Sequence, residues 1–297
     1  MNFKKTAWRH DPRSKQFSHE RFFGSAQKLP NTLGRIKGPV LQQGGTLRCT
    51  GYGSAANGYY IHGVEMSPDW QAYKIGKIQG RSVDENGGDP NACMKSMRDC
   101  GFLPASLSPF SLEKNGIQDS GYDAPWPKNL DDEAKNWDLQ VGFVRVDGQQ
   151  DVFDNLRNAL YMAYDAKTKR GACVDVFGKW YHEWTYAAMI PTQYDTFAGY
   201  HRYIFIDWIY VDNICYLVAQ NSYGKEAGAN GFHLFPREVV NKEFAEWGTS
   251  VKILKVLTKA QIDEAKKETP IGMLWRLILQ AWFMLSEKYG NIINTIR

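Results

Sequence analysis

Long hydrophobic runs are missing from this sequence. The most apolar stretch, residues 271–285, has only 15 residues and is interrupted by Arg276 and Gln280, whereas a helix that spans a membrane needs ~20 residues. Lys4 and Lys5 precede any apolar segment, so the pattern of a secretory signal peptide is missing as well. We therefore expect no transmembrane segment and a cytoplasmic or particle-associated protein.

Cysteines are few, and their spacing is not that of a metal site. The five are Cys49, Cys93, Cys100, Cys173 and Cys215, and no two of them form a Cys-x-x-Cys pair. An odd number in this arrangement argues against a zinc ribbon or a dense disulfide framework and favours a reducing compartment. We expect no metal, and we expect Cys93 and Cys100 to pack in the core rather than to form a disulfide.

Neither sign of charge is in large excess. The chain has 36 basic and 32 acidic residues and a net charge of +4, which argues against nucleic acid as the main partner. Nine of the basic residues lie within residues 1–37, which contain only two acidic residues. The N-terminal arm, residues 1–28, is therefore either a solvated tail or a docking or inhibitory arm for a protein partner.

The apolar residues, 43% of the 297, are enough to build a core. Helical patterns come first, at 49–62, 67–78, 92–100 and 151–167, and short β-branched and aromatic runs follow, at 173–177, 201–211, 216–220 and 231–235. This order predicts an α+β protein in two segregated halves, a helical lobe at about 40–165 and a β lobe at about 170–250. Turn residues dominate 104–137, which we expect to be a long surface connection.

A C-terminal extension, residues 256–297, follows the β lobe. Its apolar residues at 271–285, including Trp275 and Trp282, form a stripe at helical spacing. Either this helix packs on its own domain, or it binds a protein partner or a membrane surface.

Cys49 is the first candidate for chemistry. It follows the glycine pair Gly44-Gly45 and is predicted to start a helix. Free N–H groups at a helix N-terminus favour a thiolate and lower the pKa of a cysteine there. Gln43, six residues upstream, can fold back and donate its side-chain amide to an oxyanion beside the Cys49 N–H.

A thiol nucleophile needs a base. We favour His201, because it opens the most convincing strand pattern and a strand would hold it rigidly; His182, in a loop or at a strand end, is the alternative. Asn221 directly follows the strand pattern 216–220. Its side-chain oxygen can accept the imidazole N–H.

Four separated segments together resemble the papain-like cysteine peptidases. Gln43 and Cys49 have the spacing of the family's oxyanion glutamine and nucleophile, and the Asn-Gly-Gly at 86–88 resembles its substrate-binding loop. The Tyr200-His201 pair and the run 216–231 resemble its histidine and asparagine segments. His201 and Asn221 lie 152 and 172 residues after Cys49, slightly more than the usual spacing of about 130–150.

The resemblance covers about residues 29–250 and implies the papain-like two-lobe fold within residues 29–255. That fold has a helical left lobe, an antiparallel barrel-like β lobe and the active-site cleft between them. The implied activity is that of a cysteine endopeptidase, which cleaves peptide or protein substrates through a thioester acyl-enzyme and uses no cofactor. Acyl transfer or amidase chemistry by the same residues stays open. The implied catalytic residues are Cys49, His201, Asn221 and Gln43, and the implied substrate-binding residues are Asn86, Gly87, Gly88 and Tyr223.

Several positions depart from the family's pattern. Thr50 replaces the tryptophan after the nucleophile, as in divergent bacterial or phage-type members, and Arg48 with Leu47 replaces Gly-Ser at the cleft wall. Tyr223 and Ala227 replace two tryptophans, one of which normally shields the His–Asn bond from water. These changes leave a second hypothesis open, a catalytically weak structural or docking component of a large assembly such as a phage particle.

Overall fold

The computed structural model describes residues 29–108, 126–137, 143–145, 151–245 and 250–254, all of which lie in one compact unit. Helices precede most of the strands along the chain, which confirms the predicted α+β class. None of the helices in these ranges combines the length and the apolar character that crossing a membrane requires. The predicted N-terminal arm and the helix at 271–285 lie outside the described residues.

The helices and strands are numbered here in chain order. The helices are α1 (Cys49–His62), α2 (Pro68–Gln79), α3 (Val83–Asn86), α4 (Pro90–Lys95), α5 (Asn129–Lys135), α6 (Val152–Met162) and α7 (Arg237–Ala245). The strands are β1 (Phe143–Arg145), β2 (Tyr164–Asp165), β3 (Arg170–Gly171), β4 (Val174–Tyr181), β5 (Phe197–Val211), β6 (Ile214–Gln220), β7 (Phe232–Pro236) and β8 (Ser250–Leu254).

Helix α1 is buried along most of its length although glycine is a poor helix former. Its glycines stand where neighbouring elements approach closely. A Cβ on Gly51 would lie 2.5 Å from the Pro68 carbonyl oxygen at the start of α2, and one on Gly58 would lie 2.6 Å from the Phe102 ring. Close packing therefore compensates for the low helix propensity, and α1 is fixed against its neighbours.

Side-chain caps set where the helices around α1 begin. The Ser67 hydroxyl accepts from the Trp70 N–H at the start of α2, and the Asp89 carboxylate accepts from the N–H groups of Asn91 and Ala92 at the start of α4. Such caps satisfy N–H groups that have no partner inside the helix. The predicted helix at 92–100 thus begins earlier, at Pro90, and it finishes in a π-helical turn, Ser96–Cys100.

Six strands form one antiparallel sheet in the order β1-β8-β4-β5-β6-β7, and β2 pairs separately with β3. Among the described residues the pairing gives an open sheet rather than a closed barrel. Strand β5 is the longest, and it pairs with β4 on one side and β6 on the other. Strand β6 ends at Gln220, which pairs with Ile204 of β5, and Asn221 follows directly.

Two sequence-based expectations are wrong in part. Residues 126–137 are not a surface connection, because Trp126, Leu130 and Ala134 pack in a buried cluster with residues of α2. Helix α6 ends at Met162, where the chain turns into the β2–β3 hairpin, rather than at 167. The sequence analysis also missed α3, α5, α7, β1, β2, β3 and β8.

A buried ion pair joins the helical part of the fold to the sheet. Arg202 of β5 and Asp175 of β4 are both 0% exposed, and the Arg202 Nε donates to Asp175 Oδ1 at 3.1 Å. Another guanidinium nitrogen donates to the Thr50 carbonyl and the Ser54 hydroxyl of α1. Asn57, also in α1, donates to the second Asp175 oxygen at 2.8 Å. The pair thus holds the first turns of α1 against β5.

We expect Arg202→Met to lower the free energy of unfolding by about 3–5 kcal/mol, because the Asp175 carboxylate would stay buried without its cation. Urea unfolding followed by circular dichroism measures this. The double variant Arg202→Met/Asp175→Leu should be less destabilised than the sum of the two single variants. A loss below about 1 kcal/mol for Arg202→Met would contradict the role assigned to the pair.

Candidate active site

Cys49 is the first residue of α1, and its side chain is 7% exposed. The peptide N–H groups of Arg202, of Thr50 and of Cys49 itself face the sulfur. The Arg202 N–H belongs to the peptide bond that follows His201, so the thiol lies beside the His201–Arg202 segment of β5. Helix α1 and strand β5 therefore bring the two sequence-predicted partners together.

Two opposing effects act on the Cys49 thiol. Burial raises its pKa, because a thiolate loses its hydration there. The Arg202 N–H, the Arg202 charge and the two N–H groups at the start of α1 oppose this rise. The net pKa is above the usual value, so the thiol needs a partner that takes its proton.

His201 and Asn221 form a buried hydrogen bond. His201 Nε2 lies 2.7 Å from Asn221 Oδ1, and both residues are at most 3% exposed. The Ser222 N–H also donates to Oδ1, at 2.6 Å. Because the amide oxygen only accepts, the imidazole proton belongs on Nε2, and Nδ1 keeps its lone pair.

Aromatic rings enclose this hydrogen bond. The Tyr223 ring stacks on His201 with a centroid distance of 4.3 Å, and the Trp180 ring meets the His201 ring edge-on at 5.3 Å. Tyr223 therefore covers the bond as the sequence predicted. Trp180, from the neighbouring strand β4, adds the indole that position 227 lacks.

Burial also lowers the pKa of His201, to about 3. The Asn221 hydrogen bond acts in the opposite direction, and the charge of a second histidine, His233, adds to the lowering. Neutral thiol and neutral imidazole are therefore the resting state of the pair.

Gln43 is tied to the segment that carries Asn221. Its N–H donates to the Ser222 carbonyl at 2.9 Å, and its side-chain Oε1 accepts from the Ser222 hydroxyl at 2.6 Å. Its Nε2 donates one proton to the Thr46 carbonyl at 3.0 Å. The amide is thus held in the turn before Cys49, and its second N–H is left for another acceptor.

The Asn-Gly-Gly segment lies against the start of α1. Asn86 is the exposed last residue of α3, and the Gly87 carbonyl accepts from Gln79 and Arg81, both at 3.2 Å. Gly88 packs on Thr50, where an added Cβ would lie 2.3 Å from Oγ1. No hydrogen bond joins the Gly88 N–H or C=O to another residue in the described part of the chain.

Arg48 does not line a cleft wall with its charge, contrary to the expectation from the sequence. Its side chain is 3% exposed and donates to Asp69 at 3.0 Å and to Asp84 at 2.9 Å. These carboxylates belong to α2 and α3, so Arg48 ties the turn before Cys49 to both helices. His182, the alternative base, is exposed in a single 3-10 turn.

Sequence reasoning missed four side chains around the site: Trp180, Arg202, Asp175 and His233. Of these, only His233 could have been noticed in the sequence, because it is a polar residue inside an apolar strand pattern. Trp180 and Asp175 are brought to the site by the pairing of β4 with β5. Their positions in the sequence do not reveal this pairing.

We expect Gly88→Ala to lower the free energy of unfolding by about 1–3 kcal/mol, because its Cβ would collide with Thr50. Thr50→Ala is the matched control. The Thr50 hydroxyl is buried and has no partner among the described residues, so its removal alone should cost little. In the double variant it should relieve part of the Gly88→Ala penalty, because the Thr50 Cβ, 2.8 Å from the added carbon, remains. Equal penalties for Gly88→Ala in both backgrounds would contradict this packing.

We also expect the protein to lose stability in acid because of two histidines. Burial lowers the pKa of His201 to about 3 and that of His233 to about 4, from 6.5. Unfolding lets both bind protons, so the stability is complete above pH 6.5 and falls as the pH drops toward 4, by about 1.4 kcal/mol per pH unit for each histidine. Urea unfolding over this pH range should show a shallower slope for His233→Gln, and an unchanged slope would contradict the assignment.

No protein-family model and no curated protein sequence matches the chain. Solved structures do match its fold. Xylellain, a cysteine protease from Xylella fastidiosa, has a TM-score of 0.66 and 19% identity, over 86% of this chain and 97% of that chain.

Two further structures are more distant in sequence. Procathepsin L 3 from the larval midgut of Tenebrio molitor gives a TM-score of 0.59 at 14% identity, over 86% of this chain and 76% of that chain. Bromelain from Ananas comosus, in complex with the inhibitor E64, gives a TM-score of 0.51 at 13% identity, over 77% of this chain and 100% of that chain. Their agreement with the order of helices and antiparallel strands described above identifies the architecture: the chain has the two-lobe α+β fold of the papain-like cysteine proteases.

Proposed function

We propose that this protein is a cysteine endopeptidase in which Cys49 is the nucleophile, His201 the base and Asn221 the residue that orients the base. One observation carries the proposal. The buried hydrogen bond between His201 Nε2 and Asn221 Oδ1, 2.7 Å long, leaves His201 Nδ1 as the basic nitrogen, and the peptide N–H that follows His201 faces the Cys49 sulfur. This is the arrangement that an activated thiol requires.

The reaction begins with transfer of the Cys49 proton to His201 Nδ1 as the sulfur attacks a peptide carbonyl carbon. The negative charge that develops on the carbonyl oxygen is then stabilised by the Cys49 N–H and by the remaining Gln43 Nε2–H. His201 returns the proton to the leaving amine as the C–N bond breaks, and a thioester remains. Water attacks the thioester with His201 again acting as base, which releases the acid and restores the thiol.

The raised pKa of Cys49 and the lowered pKa of His201 fit such a sequence. Separate charges on the resting pair would be costly in this buried setting. In the transition state the imidazolium lies between the Asn221 oxygen and the reacting atoms, and its charge is compensated on both sides. The site therefore favours the transition state over a resting ion pair.

The peptide groups of Gly88 supply a place for the substrate backbone. They have no partner among the described residues, and Gly88 itself packs on Thr50, the residue after the nucleophile. A peptide that pairs with Gly88 would thus pass close to Cys49. The bonds from Gln79 and Arg81 to the Gly87 carbonyl hold this segment in place, and Tyr223, through its stack on His201, forms the other border.

A second candidate function is docking by a papain-like fold with little catalysis. Two observations favour it: Cys49 is only 7% exposed, and one Gln43 Nε2 proton is already bound by the Thr46 carbonyl. Both would slow the chemistry. The two candidates differ in the reactivity of the thiol.

We expect a peptidyl vinyl sulfone or epoxide to label the protein at Cys49 much faster than it labels a free thiol. Cys49→Ala should abolish the labelling, and His201→Ala should slow it by about 10²–10⁴-fold, the usual contribution of a general base. Intact-mass spectrometry after timed quenching measures both rates.

Cys100→Ser is the matched control, because Cys100 is also a free, partly exposed cysteine but lies far along the chain from the His201 segment. Its labelling rate should equal that of the wild type. Labelling no faster than that of a free thiol, or unchanged by His201→Ala, would overturn the peptidase proposal in favour of docking.

A further inference from the structure

A second histidine lies behind the candidate site. His233 of β7 is 0% exposed. Its Nδ1 lies 2.8 Å from the Ala187 carbonyl oxygen, and its Nε2 lies 3.4 Å from Asn221 Nδ2. The described residues thus form a continuous chain from the Ala187 carbonyl through His233 and Asn221 to His201.

The proton positions along this chain follow from its first member. A carbonyl oxygen only accepts, so His233 carries its proton on Nδ1, and its Nε2 presents a lone pair. That lone pair can accept from the Asn221 NH₂ group. The Asn221 oxygen is then directed to His201 Nε2–H and to the Ser222 N–H.

The opposite orientation of the Asn221 amide is disfavoured at both ends. Its oxygen would face the His233 lone pair, and its NH₂ group would face two N–H donors, those of His201 and Ser222. These repulsions act in a buried, water-poor setting, where electrostatic contacts are strong. The 3.4 Å between Asn221 Nδ2 and His233 Nε2 is long for a hydrogen bond. The preferred orientation of the Asn221 amide rests on this contact together with those from His201 and Ser222.

The fold makes room for this imidazole. A Cβ at position 228 would lie 2.7 Å from both Cε1 and Nδ1 of His233, and Gly228 has a φ of +52°. The Trp180 ring meets His233 edge-on at 5.4 Å, as it meets His201. Packing alone would be served by an apolar residue, which has no desolvation cost at this position. A histidine at this position adds one hydrogen-bond donor and one hydrogen-bond acceptor.

We propose that His233 is a positioning residue: it fixes the amide orientation of Asn221 and thereby holds His201 in the tautomer with the proton on Nε2. The inference rests on the proposed function of the same site. Burial lowers the pKa of His233 to about 4, so the ring stays neutral and keeps its acceptor at neutral pH.

The first test needs no variant. In ¹⁵N-histidine-labelled protein at neutral pH, NMR should show His233 with its proton on Nδ1 and His201 with its proton on Nε2. In His233→Leu, which removes both hydrogen bonds and keeps apolar bulk, the His201 signal should shift toward a mixture of tautomers. The opposite tautomer of His233 in the wild type, or an unchanged His201 signal in His233→Leu, would overturn the proposal.

The second test is kinetic. His233→Leu should slow labelling of Cys49 by a vinyl sulfone by about 10²-fold, the usual effect of a misplaced catalytic group. His233→Gln keeps both an acceptor and a donor and should recover most of the rate. In an Asn221→Ala background His233→Leu should have no further effect, because the residue acts through Asn221. An additive loss in that background, or a wild-type rate in His233→Leu, would overturn the proposal.

His62→Leu is the control for the loss of a histidine. His62 packs edge-on against Phe102 and Trp137 and is not a member of the hydrogen-bonded series from Ala187 to His201. Its replacement should leave the labelling rate unchanged. The two tests separate the claims. If the wild type does not label, the proposed function fails, and the tautomers still decide the role of His233.

Discussion

The contact between the first turns of α1 and strand β5 is the constraint on which the rest of the structure depends. It brings Cys49, the first residue of α1, beside the His201–Arg202 segment of β5. The contact is possible because α1 has glycine where a side chain would collide, as at Gly53, whose Cβ would lie 2.9 Å from Arg202. The space freed in this way is filled by the Arg202 guanidinium, which binds α1 and Asp175 at once.

Burial shifts the pKa values of Cys49 and His201 in opposite directions. It raises the pKa of Cys49 and lowers that of His201, because each charged form loses its hydration. The N–H groups of α1 and the charge of Arg202 favour the thiolate, and Asn221 favours the imidazolium. The pKa of each group therefore reflects a balance between burial and these neighbouring polar groups.

Divergence in sequence is compensated in three dimensions. Where papain-like peptidases are expected to have tryptophans after the asparagine, this chain has Tyr223 and Ala227, and Trp180 from the neighbouring strand closes the aromatic wall instead. Arg48 replaces a small residue but points away from the site and binds Asp69 and Asp84.

Local signals in the sequence were sufficient for the helices around the candidate site. Glycine before Cys49, Ser67 with Pro68 and the aromatic run from His201 each act through neighbouring residues, and α1, α2 and β5 lie close to where these signals predicted them. The hydrogen bond of His201 to Asn221 forms because His201 lies in β5 and Asn221 directly follows β6, the strand that pairs with it. Only the tertiary structure decided the environment of these groups. Trp180, Asp175 and His233 reach the site through antiparallel pairing of distant segments, and the direction of Arg48 depends on two carboxylates from different helices. Strand register and long-range charge pairing depend on the whole chain, and no local pattern of residues specifies them.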